Sequence, residues 1–240
     1  MQFVHNVKRY CRFSLREVEE LIGIAFVFAF GLSFTDWGVE SFDYLIGVSN
    51  LLTAFLVVAV SLFFHTFLKK LYAIWRGYTI THRTWTAGIL GSAIITLLTN
   101  GRLPLFFSSS FDVQTTAMRR LGRKHGVHMG AVARIAIAGM FATSLLAAVA
   151  QWIAMVWPGY VVQKLLTFNA LYLLYNILPL PQIDGSKIFF ASRLLYTFIV
   201  VSVLAFVLMA LAGASSFILA GGLGLIATII FWFFYEKDWS

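Results

Sequence analysis

Long uncharged runs of apolar residues recur along this chain, separated by short polar clusters. Leu21 to Thr35 is bounded by Glu20 and Asp36, and Tyr44 to Leu68 is longer and carries His65 near its end. Further runs cover Ile135 to Val162, broken by Pro158-Gly159, and Leu165 to Ile183, which ends in Leu178-Pro179-Leu180-Pro181. The last two, Leu194 to Leu211 and Phe217 to Tyr235, are separated by Ala212-Gly213-Ala214-Ser215-Ser216. A helix needs roughly 20 apolar residues to cross a hydrocarbon core of about 30 Å, so these runs predict an all-α polytopic membrane protein with about six transmembrane helices.

The stretch between the second and third runs reads differently. Thr86 to Leu98 is apolar but short, with Arg83 before it and Arg102 after. It is expected not to cross, and residues 78–113 are read as a re-entrant or interfacial segment. Thr79, Ile80, Thr81 and the stretch from Leu105 to Phe111 suggest extended, hairpin-like backbone there. Backbone of that kind is tolerated at membrane depth only where protein covers it or it lines a wet cavity.

Composition agrees with this pattern: of 240 residues, 60% are hydrophobic and only 12% charged, too few charges for a soluble domain. Cys11 has no partner, which excludes a disulfide framework. The chain divides into a basic N-terminus, 1–20, and one membrane domain, 21–240. The net charge of +8 points to anchoring at a cytoplasmic leaflet of membrane lipid and not to nucleic acid. Lys8, Arg9, Arg12 and Arg16 precede the first run, whereas Asp36, Glu40 and Asp43 follow it, so the N-terminus is expected to be cytoplasmic. Threading six spans from there puts both termini on that side. The same threading brings in Lys69, Lys70, Arg76, Arg83, Arg102, the Arg119 to Lys124 cluster, Arg134, Lys187, Arg193 and Lys237, and leaves only Lys164 outside. The first run is read as a retained span, since no small-residue cleavage site precedes Asp36.

Ionisable residues in or beside spans are costly and therefore candidates for function. His65 and Lys69 lie four residues apart, on one helix face. Asp184 follows the fourth run and is the only acid between Asp112 and Glu236. The topology sets His65, Lys69 and Asp184 at similar depth on one side.

The string Phe168-Asn169-Ala170-Leu171-Tyr172-Leu173-Leu174-Tyr175-Asn176-Ile177-Leu178-Pro179-Leu180-Pro181-Gln182-Ile183-Asp184-Gly185 resembles the Asn-x-x-Pro-x-x-x-x-Asp-Gly region of the site-2 protease family of intramembrane zinc metalloproteases. The likeness extends to a span ending in a His-led motif, a membrane hairpin, a glycine-led span and the Asp-Gly span, as in short prokaryotic members. It implies a fold of site-2 protease type in a prokaryotic plasma membrane. In that family two histidines of His-Glu-x-x-His and the later Asp hold zinc, and the Glu is general base on the zinc-bound water.

Carried over by position, His65 and Asp184 match the first and third ligands. The general-base position is Thr66, whose hydroxyl takes no proton at neutral pH, and the second ligand position is Lys69, whose ammonium has no lone pair. Gly139-Met140-Phe141-Ala142-Thr143 stands where active relatives often carry Gly-Pro-x-x-Asn. His125-Gly126-Val127-His128, in a basic loop without acids, is a weak alternative metal site, and His5 and His82 are the remaining histidines.

The resemblance thus implies a degenerate member with no catalytic residue, no metal and no cofactor, and a relic or binding site at His65, Lys69, Asp184, Asn176 and Gly139. Its function would be that of a pseudoprotease that binds or scaffolds a membrane-protein partner or client. Two alternatives stand beside it. One is an active zinc endopeptidase in which His65 and Asp184 bind zinc with an atypical ligand set; the other is a pore or transport subunit using Asp184 and Lys69 as a relay. For Lys69 two readings are open: an ammonium replacing the metal beside Asp184, or a side chain that with Lys70 snorkels to the interface.

Overall fold

The computed structural model describes residues 7, 9–38, 42–107, 109–115, 127–214 and 216–236. His5, Lys8, Glu40, the Arg119 to Lys124 cluster, His125, Ser215 and Lys237 lie outside the described residues. In chain order the elements are α1 (Leu15–Ser33), α2 (Tyr44–Arg76), β1 (Tyr78–Thr84), α3 (Thr86–Leu98), β2 (Ser109–Thr115), α4 (Met129–Val156), α5 (Tyr160–Asn176), α6 (Asp184–Ala191), α7 (Arg193–Leu211) and α8 (Phe217–Phe231).

The protein is mostly helical, with a small two-stranded sheet. Four helices are long and apolar enough to cross a membrane: α2, α4, α7, and α8 continued to Phe234. The other two expected spans differ in detail. α1 begins at Leu15, because Ser14 and Glu17 form a capping box that starts the helix before the apolar run does, and its first two turns carry Arg16, Glu17, Glu19 and Glu20. α5 has only 17 residues and stops at Asn176, ahead of Pro179 and Pro181, instead of running to Ile183.

Between α2 and α4 the chain forms a hairpin that carries a short helix. β1 and β2 pair antiparallel from Tyr78↔Thr115 to Thr84↔Ser109, so the segment 85–108 leaves and returns at one place. α3 has 13 residues, a length of about 20 Å, too short to cross. It runs alongside α1: Thr96 and Pro104 pack at Gly31, and the turn at Gly101 packs on Phe34. The chain then returns extended, with the Phe107 N–H donating to Ser92 Oγ (3.1 Å) and the Leu103 N–H to Thr99 Oγ1 (3.3 Å). Hydroxyls of α3 and of Thr99 at its end thereby satisfy part of the returning backbone. The tip at Gly101 and Arg102 lies beside the C-terminal end of α1, away from the two strands.

The buried apolar residues form two clusters. One joins α1, α2 and α5 around Ile24, Phe28, Val58 and Phe168, with Phe106 of the returning leg inserted among them. The other joins the sheet to α4, α5, α6 and α7 around Tyr78, Ile135, Leu173, Ile188 and Phe206. α2 contributes to both, and its polar face is turned to α4 and α6.

Candidate functional site

On α2, Ser61, His65 and Lys69 recur every four residues and are all buried. Lys69 Nζ lies 2.5 Å from Asp184 Oδ2, and His65 Nε2 lies 3.3 Å from the same oxygen. The burial is nearly complete: the side chains of Lys69, His65 and Asp184 are 6%, 2% and 0% exposed. A third cation, Lys187, approaches the other carboxylate oxygen at 3.9 Å. Among the described residues neither oxygen of Asp184 has a hydrogen bond of good geometry, nor has His65 Nε2, so the attraction within the group is mainly Coulombic.

Local sequence delivers Asp184 to this position. The prolines end α5, Gln182 takes a left-handed φ of 68°, and Ile183 is extended before α6 opens at Asp184. Gly185 lies hard against the carbonyls of Ile177 and Leu178, where any Cβ would collide with backbone. Gly139 does the same for α4: a Cβ there would overlap Lys69 Cε and come within 2.8 to 2.9 Å of the His65 ring. The absence of a side chain is what lets α4 approach the polar face of α2.

One turn beyond Gly139, Thr143 Oγ1 lies 2.8 Å from His65 Nδ1. The Thr143 hydroxyl donates to the Gly139 carbonyl (3.2 Å), so its oxygen faces the imidazole as an acceptor. Tyr172 closes the site from α5, edge-on to the imidazole at 5.2 Å. Phe111 of β2 covers it from the sheet, its ring centroid 3.5 Å from Lys187 Nζ and 4.9 Å from Lys69 Nζ.

Four of the expected site residues, His65, Lys69, Asp184 and Gly139, are therefore brought together. Asn176 is not among them, since its Nδ2 donates to the Tyr172 carbonyl one turn back on its own helix. Thr66 is buried on α2 beside His65. His128 stands exposed before α4. Sequence reasoning passed over Lys187 and Phe111, although Lys187 stands one helical turn after Asp184.

Lys70 does not snorkel. It is 3% exposed, and its Nζ lies 2.8 Å from Glu17 Oε2 and donates to the Arg12 carbonyl (2.9 Å). Glu17 Oε1 also accepts the His82 N–H of β1 (2.9 Å). This second cluster ties α1, α2 and the sheet together beside a cleft of about 1000 Å³ lined by Arg12, Lys70, His82, Arg83 and Gln114. Burial would raise the Glu17 carboxyl, but the His82 N–H, the Lys70 ammonium and the Ser14 N–H outweigh it and hold it below its ordinary value. Burial and then the Lys69 charge push the His82 imidazole down to about 4.

Zinc does not suit the donors present. His65 Nε2 and Asp184 offer two ligand positions, whereas a protein zinc site supplies three or four, and the third place is taken by an ammonium in contact with the carboxylate. Among the described residues no group of three His, Cys, Asp or Glu side chains could hold a metal ion. No family model, curated protein or solved structure matches this chain.

Proposed function

We propose that this chain is a non-catalytic, site-2-protease-like membrane protein that binds or scaffolds a membrane partner or client. The observation that carries this reading is the Lys69–Asp184 ion pair beside His65, at the positions where the resemblance implies a metal. A fixed ammonium supplies positive charge to the buried carboxylate but cannot lower the pKa of a water or polarise a carbonyl as zinc does. Thr66, at the general-base position, has a hydroxyl in place of a carboxylate. What such a site offers is rigidity, since it fixes α2, α4 and α6 against one another as a scaffold requires.

In this proposal α1 and α5 cross together with the four long helices, giving six crossings with both termini cytoplasmic in a prokaryotic plasma membrane. The two ends of the bundle support that direction. Lys164 meets Asp36 at one end, with Tyr160 donating to the same carboxylate, while Arg12, Lys70 and Glu17 gather at the other. Arg102 joins Lys164 as a second outward base, and the remaining bias still favours a cytoplasmic N-terminus.

The test is metal content and its restoration. The parent purified in mild detergent is expected to hold no stoichiometric zinc and to show no chelator-sensitive cleavage of membrane peptides. Thr66→Glu with Lys69→His should take up roughly one equivalent, because the His65 and Asp184 geometry is then completed to a three-ligand site. Near-stoichiometric zinc in the parent, with cleavage lost in His65→Ala, would overturn the proposal.

A further inference from the structure

The cleft beside Glu17 and Lys70 is bounded by the first turns of α1, by the sheet and by the start of α3, and its volume of about 1000 Å³ leaves room for a small ligand group. Its charged lining sets Arg12, Arg16, Lys70 and Arg83 against Glu17, Glu20 and Asp112. Three of the cations are paired: Lys70 with Glu17 at 2.8 Å, Arg16 with Glu20 at 3.1 Å and Arg83 with Asp112 at 2.9 Å. Arg12 is the fourth. Its side chain is exposed and has no ion pair among the described residues, and a guanidinium stays charged at any physiological pH. Its backbone is held in place, because the Arg12 carbonyl accepts from Lys70 Nζ (2.9 Å). The wall of the cleft therefore carries one accessible, uncompensated positive charge. α3 opens at the same rim, at Thr86, with no side-chain cap, so its first N–H groups add partial positive charge there.

We propose that this cleft holds the phosphate of one anionic phospholipid, with Arg12 as the residue that neutralises it. The depth of the cleft favours a lipid. α2 has 33 residues, a length of about 50 Å, which leaves about 10 Å beyond a hydrocarbon core of about 30 Å at each end. Lys70 stands about 9 Å before the end of that helix, so the cleft opens at the level of the headgroups. Exposed apolar residues continue from its rim, Leu15, Val18 and Ile22 on α1 and Leu90 and Ile94 on α3, and offer acyl chains a surface to lie on. One free guanidinium matches the single charge of a phosphodiester, whereas an acidic peptide would bring several charges to acids already in place. The inference goes beyond general attraction to a charged leaflet, since it names one site, one residue and one lipid per chain.

Native mass spectrometry of the full chain, released from a neutral detergent that contains equal amounts of phosphatidylglycerol and phosphatidylcholine, tests this. Both lipids carry the phosphate, but only the first has a net negative charge. The parent should retain one phosphatidylglycerol, preferred over phosphatidylcholine by about fivefold, the preference that one basic residue near the headgroups confers. Arg12→Gln, at an exposed position, should fold as the parent does and lose that preference, while Arg12→Lys, which keeps the charge, should keep most of it. Arg102→Gln removes an exposed charge at the hairpin tip, away from the cleft, and should change nothing. Equal retention of the two lipids, an undiminished preference in Arg12→Gln or the same loss in Arg102→Gln would overturn the proposal. Displacement of the lipid by an equal concentration of inorganic phosphate, or of a hexaglutamate peptide, would overturn it too, by showing a soluble anion or an acidic chain to be the better occupant. None of these results depends on zinc uptake, so the proposed function and the lipid site can fail separately.

Discussion

Removing either charge of the Lys69–Asp184 pair should destabilise the protein, and removing both should not double the loss. Truncating one partner of a buried ion pair costs about 3 to 5 kcal/mol, because the other is left as an uncompensated charge. The geometry makes the two losses unequal. With an effective dielectric constant of about 20, unit charges attract by roughly 6 to 7 kcal/mol at the 2.5 Å of Lys69 and by roughly 4 kcal/mol at the 3.9 Å of Lys187. Lys69→Met leaves Asp184 with Lys187 as a partner, so its cost belongs at the low end, about 3 kcal/mol. Asp184→Asn strands two ammonium groups and belongs at the high end, about 5 kcal/mol.

The assay is unfolding in mild detergent, by tryptophan fluorescence against temperature, for the parent, the two single variants and the double variant. For a chain of this size each kcal/mol moves the midpoint by about 2 to 4 °C, so the single variants should be separated by several degrees. The double variant should recover about 2 kcal/mol relative to the sum of the singles, a coupling that only groups in contact produce. Additive losses within about 0.5 kcal/mol, or a silent Lys69→Met, would refute the pairing and return Lys69 to the role of an interfacial anchor.

Three further outcomes follow from the same geometry. Gly139→Ala should cost about 1 to 3 kcal/mol, since its Cβ meets Lys69 and the His65 ring, and a loss below about 0.5 kcal/mol would mean that α4 does not approach α2 so closely. Lowering the pH should destabilise the protein through His82: its folded pKa of about 4 lies below the unfolded value of about 6.5, so its contribution is complete above 6.5 and is lost as the pH falls toward 4, up to roughly 3 kcal/mol. His82→Gln should flatten unfolding midpoints over that window, and an unchanged slope would refute the assignment. In a Cys11→Ser background, Leu103→Cys at the exposed hairpin tip should be labelled from the side of Asp36, and Ser110→Cys in β2 from the side of Arg12; labelling of both from one side would remove the re-entrant depth described for α3.

The apolar runs were legible because a run of transmembrane length needs no partner to be recognised. The depth match of His65, Lys69 and Asp184 was legible for the same reason: counting residues from the ends of runs sets depth. Helix ends were less so. Ser14-Leu15-Arg16-Glu17 carries the capping-box signature, but the hydrophobic count started at Leu21 and passed over it. The choice between pairing and snorkelling for the two lysines could not be made from one helix, since Lys69 and Lys70 find their carboxylates on α6 and α1, more than 50 residues away in the chain. Charge statistics treat Arg102 as part of a loop and give no sign that α3 packs along α1 and carries the tip to that helix's end.

The pattern of polar residues also bears on the transport alternative. A relay needs polar groups that continue from one end of the bundle to the other. Here the stripe on α2 descends from Lys69 through His65 to Ser61, where the Asn169 side chain donates to the Ser61 hydroxyl (2.9 Å). Below that point α2 presents Val58 and Ala54 to Phe28, Phe106 and Phe168, and the rings of those three phenylalanines contact one another. Among the described residues the ion pair toward the opposite end is Lys164–Asp36, beyond this aromatic layer. A buried polar cluster covered by Phe111 on the side of the sheet and closed beneath by aromatic rings suits a fixed pairing of charges. The same closure explains why Asp184 can tolerate its depth: its partners are fixed side chains on α2 and α6, held there by a dry core beneath, and no flow of ions or protons is needed to account for their presence.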